Sequence, residues 1–272
     1  MHLLIFIVLF FIAGFSNAQR PFEIIQTIYF IGDAGKYETT NNVLKRLKTE
    51  IENDELSTVV FLGDNVYPQG LDSKKKSENK LLAQLSILDN YKGNVFFIPG
   101  NHDWKMGKPG GYKTILRQAE FVENYLNKTT VANKNNLNFL PVNALPGPYD
   151  TLISDGLRML FIDSQWFLHA QIIHKTGKIG TRKNTKKLFY AALDSTLNAA
   201  HKRGERSDCI LGPGHFLGLA AAALALVPFF FANTSCGQVV TLRVAPSACS
   251  FDALVLGCWL VGIRDSKTES PG

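Results

Sequence analysis

Cysteine is missing from the first 208 of the 272 residues, and histidine is scarce, at 6 in the whole chain. The first absence excludes a disulfide framework for that part. The second limits how many imidazoles any metal site can draw on. No aromatic residues are interleaved with the short basic run Lys74-Lys75-Lys76, so the formal net charge of +6 reads as solvated helix faces and nucleic acid is not an expected partner. No internal repeat is present, which excludes a solenoid. Hydrophobic residues make up 46% of the chain, enough for a packed core and too many for a disordered protein.

Lys, Arg, Asp and Glu are all absent from Cys209 to Leu242, although the preceding region is rich in lysine. All four cysteines and a single lysine, Lys267, lie beyond Asp208. We read 209–272 as an atypical apolar tail that does not belong to the upstream fold, with a frame change near Asp208 as its origin. A membrane segment over Phe216 to Ala232, interrupted by Pro228, and a buried helix and strand are the competing readings. At the other end, Leu3 to Phe15 is almost wholly apolar and Ser16-Asn17-Ala18 offers small residues for cleavage. Residues 1–18 therefore read as a signal peptide, and the chain is expected to be exported. The sequons at Asn127 and Asn233 matter only in a host that glycosylates exported proteins.

What is present between these ends is a repeated design. Apolar runs close on Gly32-Asp33-Ala34-Gly35, on Gly63-Asp64-Asn65-Val66-Tyr67, and on Gly100-Asn101-His102-Asp103. Strands are expected over Glu23 to Phe30, Thr58 to Leu62 and Asn94 to Ile98. Helices marked by Val43, Leu44, Leu47 and Ile51, and by Leu81, Leu85 and Leu88, separate them, and Thr39 or Thr40 is the expected cap of the first. Strand, helix, strand, helix, strand with short connections predicts a parallel-rich α/β sheet with right-handed crossovers. The segment Trp104 to Lys113, with three glycines and a proline, predicts a flexible rim. A third helix follows through Ile115, Ala119, Val122 and Leu126, then strands near Tyr149 to Ile153 and Arg158 to Ile162, and a helix carrying Phe189, Leu193, Leu197 and Ala200.

A lone Gly-Asp after a strand is usually a turn, in which glycine takes the left-handed conformation and aspartate bonds the next amides. Three such endings in succession place carboxylate, amide and imidazole groups together at strand carboxyl ends, where open α/β sheets form their sites. Hydrolysis of a phosphate ester needs a strong nucleophile at neutral pH and positive charge for the developing oxyanions. A two-metal site supplies both, and Asp33, Asp64, Asn101 and His102 are suitable types for it.

These blocks resemble the GDxG, GDxxY and GNHD/E blocks of calcineurin-like metallophosphoesterases, in the purple acid phosphatase branch, over about residues 24 to 205. The resemblance implies an α/β fold, a four-layer αββα metallophosphatase sandwich, here incomplete at its C-terminus. It implies two metal ions, iron(III) with a divalent iron, zinc or manganese. Asp33 and Tyr67 would bind the first, Asp64 would bridge, and Asn101 would ligate the second. His102 would orient the phosphate and help protonate the leaving alcohol. Small phosphate monoesters would be hydrolysed by attack of a metal-bridging hydroxide. Ile162-Asp163-Ser164-Gln165-Trp166 resembles a strand end of the family and reads as structural support.

The family also uses VxxH and GHxH blocks that supply three histidines. After His201 the chain has only His215, in Gly212-Pro213-Gly214-His215, and no GHxH occurs. His169, His174 and His201 read as surface residues. The alternatives are therefore a catalytically impaired relic, or a membrane-anchored, non-catalytic protein contacting lipid through 216–232.

Overall fold

The computed structural model describes residues 24–55, 57–128, 137–168, 182–203, 206–211, 229–231 and 239–244. The 1–18 segment, His169, His174 and His215 lie outside these residues, as does most of 216–232. Among the described residues no helix is long and apolar enough to cross a membrane.

The first sheet contains β1 (Gln26–Ile31), β2 (Ser57–Phe61), β3 (Asn94–Phe97) and β8 (Val239–Val244), in the order β3-β2-β1-β8. The first three are parallel, and β8 runs antiparallel to β1. The second sheet contains β4 (Tyr149–Ser154), β5 (Leu157–Ile162), β6 (Arg206–Leu211) and β7 (Phe229–Phe231), in that order. β4 and β5 form an antiparallel hairpin around Asp155-Gly156, with Gly156 at φ 73° as such a turn requires. β6 and β7 continue the sheet in parallel. Both β7 and β8 are drawn from 209–272.

Alternation along the strands explains the layers. Ile28, Phe30, Val60, Leu62, Phe96 and Ile98 face one way and pack with Leu157, Met159 and Phe161 of β5, making the seam between the sheets. Phe96 and Phe161 meet across it with ring centroids 4.7 Å apart. The intervening residues, Tyr29, Ile31, Val59, Phe61, Val95 and Phe97, face the helices α1 (Asn42–Ile51), α2 (Lys75–Leu85) and α3 (Gly111–Leu126). Leu44, Leu47, Leu81, Ile115 and Val122 come from those helices at helical spacing. On the far side Phe189, from α4 (Arg182–Lys202), belongs to the same buried cluster as Leu160 and Ile162 of β5. Helices, sheet, sheet and helix give the four-layer αββα sandwich that the resemblance implies.

Two local expectations change. The cap of α1 is Asn41, not Thr39 or Thr40. Its extended backbone aims the side-chain oxygen at Leu44 N, 2.9 Å away, while the Thr40 hydroxyl donates instead to Ala83 O on α2 at 3.3 Å. The rim also ends earlier than the glycine count suggested, because α3 already begins at Gly111. Gly110, at φ 90°, makes the turn into it.

Candidate metal centre

The carboxyl ends of β1, β2 and β3 lie side by side, so the loops that leave them must cross at close range. Two glycines make this crossing possible. A methyl group on Gly35 would lie 2.0 Å from Asn65 O, and one on Gly100 would lie 2.3 Å from both Asp64 N and Asp64 Oδ1. Gly35 N donates to Asp64 O at 3.1 Å and Tyr67 N to Gly35 O at 3.1 Å, which stitches the first two loops together. Asp33 and Asp64 both adopt left-handed backbone, at φ 56° and 55°. Strain of this kind at non-glycine positions is held in place by surrounding structure and gathers at functional sites.

That backbone aims both carboxylates at one atom. The Tyr67 hydroxyl donates to Asp33 Oδ1 in a short hydrogen bond and lies 3.1 Å from Asp64 Oδ2. The other oxygen of Asp64, Oδ1, accepts the His102 backbone N–H at 2.9 Å. The His102 ring packs on Tyr67 with centroids 4.0 Å apart, and its Nδ1 lies 2.7 Å from Pro68 O. A carbonyl can only accept, so Nδ1 carries the hydrogen, which leaves Nε2 to exchange a proton.

The electrostatics are one-sided. Burial raises the Asp64 pKa above the ordinary carboxylate value, against the hydrogen bond from His102. Burial and then the two carboxylates push the Tyr67 phenol far up. Among the described residues, no ion pair joins a lysine or arginine to Asp33 or Asp64.

Beneath this cluster lies a carboxylate with a different task. Asp103 is fully buried, and its Oδ2 accepts from Gly100 N at 2.8 Å, Asn65 N at 3.1 Å and Asn65 Nδ2 at 3.3 Å. Its Oδ1 accepts from Val66 N at 3.0 Å. Burial pushes its pKa up to about 7 while those N–H groups oppose the shift. Both oxygens accept, so the loops are built around the ionised form. Asn65 extends the anchor by donating to Ile98 O at 2.9 Å, and Gln84 of α2 donates to Asn65 O at 2.8 Å.

The structure thus brings together four of the five residues singled out from sequence: Asp33, Asp64, Tyr67 and His102. Asn101 stands beside them in the chain, but its side-chain nitrogen donates to Met106 Sδ at 2.8 Å and makes no hydrogen bond to either carboxylate. His201 is exposed on α4. Asp103 and Asn65 were visible inside the quoted blocks but had no assigned task. The signal for them was there: in two blocks a second polar residue directly follows one with an assigned role, Asn65 after Asp64 and Asp103 after His102.

Carboxylate and phenol oxygens at strand ends fit a hard cation, and the unshared negative charge of Asp33 and Asp64 is what such a cation would neutralise. Imidazole is in short supply: among the described residues no group of three or more His, Cys, Asp or Glu is arranged to hold a metal ion.

The family model described as calcineurin-like phosphoesterase matches residues 26–198. No curated protein matches the chain. Among solved structures, the chain is similar to a dimetal phosphatase from Danio rerio, at 12% identity over 70% of each chain with a TM-score of 0.45. It is also similar to GAP50, described as the anchor in the inner membrane complex of Plasmodium, at 18% identity over 72% of this chain and 57% of that one, with a TM-score of 0.42.

Proposed function

The chain belongs to the calcineurin-like phosphoesterase family, a family that implies two metal ions, and we propose that it is an exported phosphomonoesterase of the purple acid phosphatase branch. The observation that carries this reading is the convergence of Asp33 and Asp64 on the Tyr67 hydroxyl, with His102 packed against it. Asp33 and Tyr67 would hold iron(III), Asp64 would lie between the two ions, and Asn101 would turn from Met106 to reach the second, a divalent iron, zinc or manganese. When bound, the pair supplies a nucleophile at neutral pH and positive charge for the transferring phosphoryl group.

The chain's own residues do the rest. Asp64 is held from behind by the His102 N–H, which fixes one oxygen and leaves the other directed at the Tyr67 side. Pro68 O holds the His102 ring so that Nε2 is the atom that meets substrate oxygen and passes a proton to the leaving alcohol. The Leu3 to Phe15 run and the Ser16-Asn17-Ala18 site support export. Small phosphate esters are the substrate class this reading takes, and the short basic run Lys74-Lys75-Lys76, with no aromatic residue interleaved, speaks against nucleic acid.

The test is turnover of an aryl phosphate by residues 19–272 and by the Asp64→Ala variant. Loss of hydrolysis in the variant is expected, and unchanged turnover would reject the reading. One observation favours a second reading, a relic with impaired catalysis: no GHxH block exists in the sequence to complete the imidazole set. Wild-type protein that binds well under one metal per chain and hydrolyses nothing would select it.

A further inference from the structure

The Gly100–Trp104 turn is gripped at both ends by buried carboxylates, and only one of them belongs to the same sheet. Asp103 ties the turn to its neighbours in the first sheet. At the outer end, the Trp104 indole Nε1–H donates to Asp163 Oδ2 at 2.8 Å, and both residues are 0% exposed. Asp163 directly follows β5, in the second sheet. There its own N–H donates to Pro146 O at 3.1 Å and its Oδ1 accepts from Trp166 N at 3.1 Å. The carboxylate is therefore fixed before Trp104 reaches it.

We propose that the Trp104–Asp163 pair is a positioning device for His102, coupling the turn that carries Asn101 and His102 to the strand end of the opposite sheet. His102 depends on the place of that turn twice: its backbone N–H must meet Asp64 Oδ1, and its ring must meet Pro68 O. Trp104 N donates to Gly100 O at 3.2 Å, so a displacement of Trp104 is carried back through the turn to both contacts. A phenylalanine would fill much of the same volume. It would leave a buried carboxylate oxygen without its donor, and the turn without its tie to the second sheet. Asp163 and Trp104 are positioning residues, since neither touches substrate. The inference rests on the reading of His102 as the proton donor.

The test uses the full chain labelled with 15N and needs no substrate for its deciding arms. In the unaltered protein the Trp104 indole N–H is expected to exchange at least ~100-fold more slowly than an exposed indole, and exchange at the exposed rate would overturn the proposal. In Trp104→Phe and Asp163→Leu, each of which removes one partner of the bond, at a pH where the ring is neutral, the His102 nitrogen shifts should move from the Nδ1–H pattern toward the Nε2–H form that free histidine prefers. Unchanged shifts in either folded variant overturn the proposal whatever the activity does. If neither variant folds, the indole exchange of the unaltered protein decides. With aryl phosphate, the same variants should lose about 10- to 100-fold in kcat with KM within about twofold. Absence of turnover in the wild type would count against the phosphatase reading and leave the ring shifts to judge the link.

Discussion

Asp64 and Asp163 each end an apolar strand, one in each sheet, and they meet opposite fates. Asp64, after β2, is turned by a left-handed backbone toward Asp33 and Tyr67, with one oxygen held by His102 N–H. Asp163, after β5, is sealed from solvent and its oxygens are taken up by Trp104 and Trp166. The same local pattern, hydrophobic run followed by aspartate, yields a candidate ligand in one place and an anchor in the other. Both carboxylates have a donor on each oxygen, and what separates them is the kind of donor. Asp64 shares the single Tyr67 hydroxyl with a second carboxylate, Asp33, an arrangement in which a cation would take the place of the shared proton. Asp163 is held instead by an indole and a backbone N–H that belong to it alone.

Asp64→Ala breaks the comparison on its ligand side and should have the largest effect. We expect hydrolysis of an aryl phosphate to fall on the order of 10³-fold or more with the far-ultraviolet circular dichroism of the fold retained. Asp103→Ala attacks the anchor side. It strands the Gly100, Asn65 and Val66 N–H groups in the interior, and urea unfolding should show a loss of about 3 kcal/mol or more.

A pH series sharpens the contrast. Burial raises Asp163 from an ordinary value of 3.8 to about 7, so between these limits the folded state binds more protons than the unfolded chain. Stability from this group is present below the lower limit and is lost as pH rises through the upper one. Urea midpoints of wild type should therefore decline from pH 4.5 to pH 7.5 by more than those of Asp163→Asn, and equal slopes would contradict the assignment. The smallest effect is expected at Asn41, far from both carboxylates in role: Asn41→Ala should cost about 1 kcal/mol through the lost cap of α1 and leave turnover unchanged.

Much of this was legible in the chain because it is local. Period-two and helical spacing place β1 to β5 and the four helices, and Leu44, Leu47 and Ile51 mark the buried face of α1 as read. The convergence of Asp33, Asp64, Tyr67 and His102 was legible because each stands at a strand end and parallel strands bring such ends together. What escaped is mainly non-local. The Asp103 anchor reaches back to Asn65 and Val66, and Trp104 finds Asp163 in another sheet. No periodicity encodes such pairings, since they depend on how layers stack. The side-chain direction of Asn101 escaped for a local reason: Met106, five residues on, competes for its amide from the left-handed turn of the rim, which no periodicity marks.

The central claim is that Asp33, Asp64 and Tyr67 form a cation site. Elemental analysis of purified residues 19–272, with a visible spectrum for a tyrosinate-to-iron band, tests it most directly. The account predicts about two metal ions per chain, as the family implies, with the band lost in Tyr67→Phe and metal content falling in Asp64→Ala. A chain that holds no metal under saturating conditions, or one whose metal content is indifferent to Asp64, would contradict it.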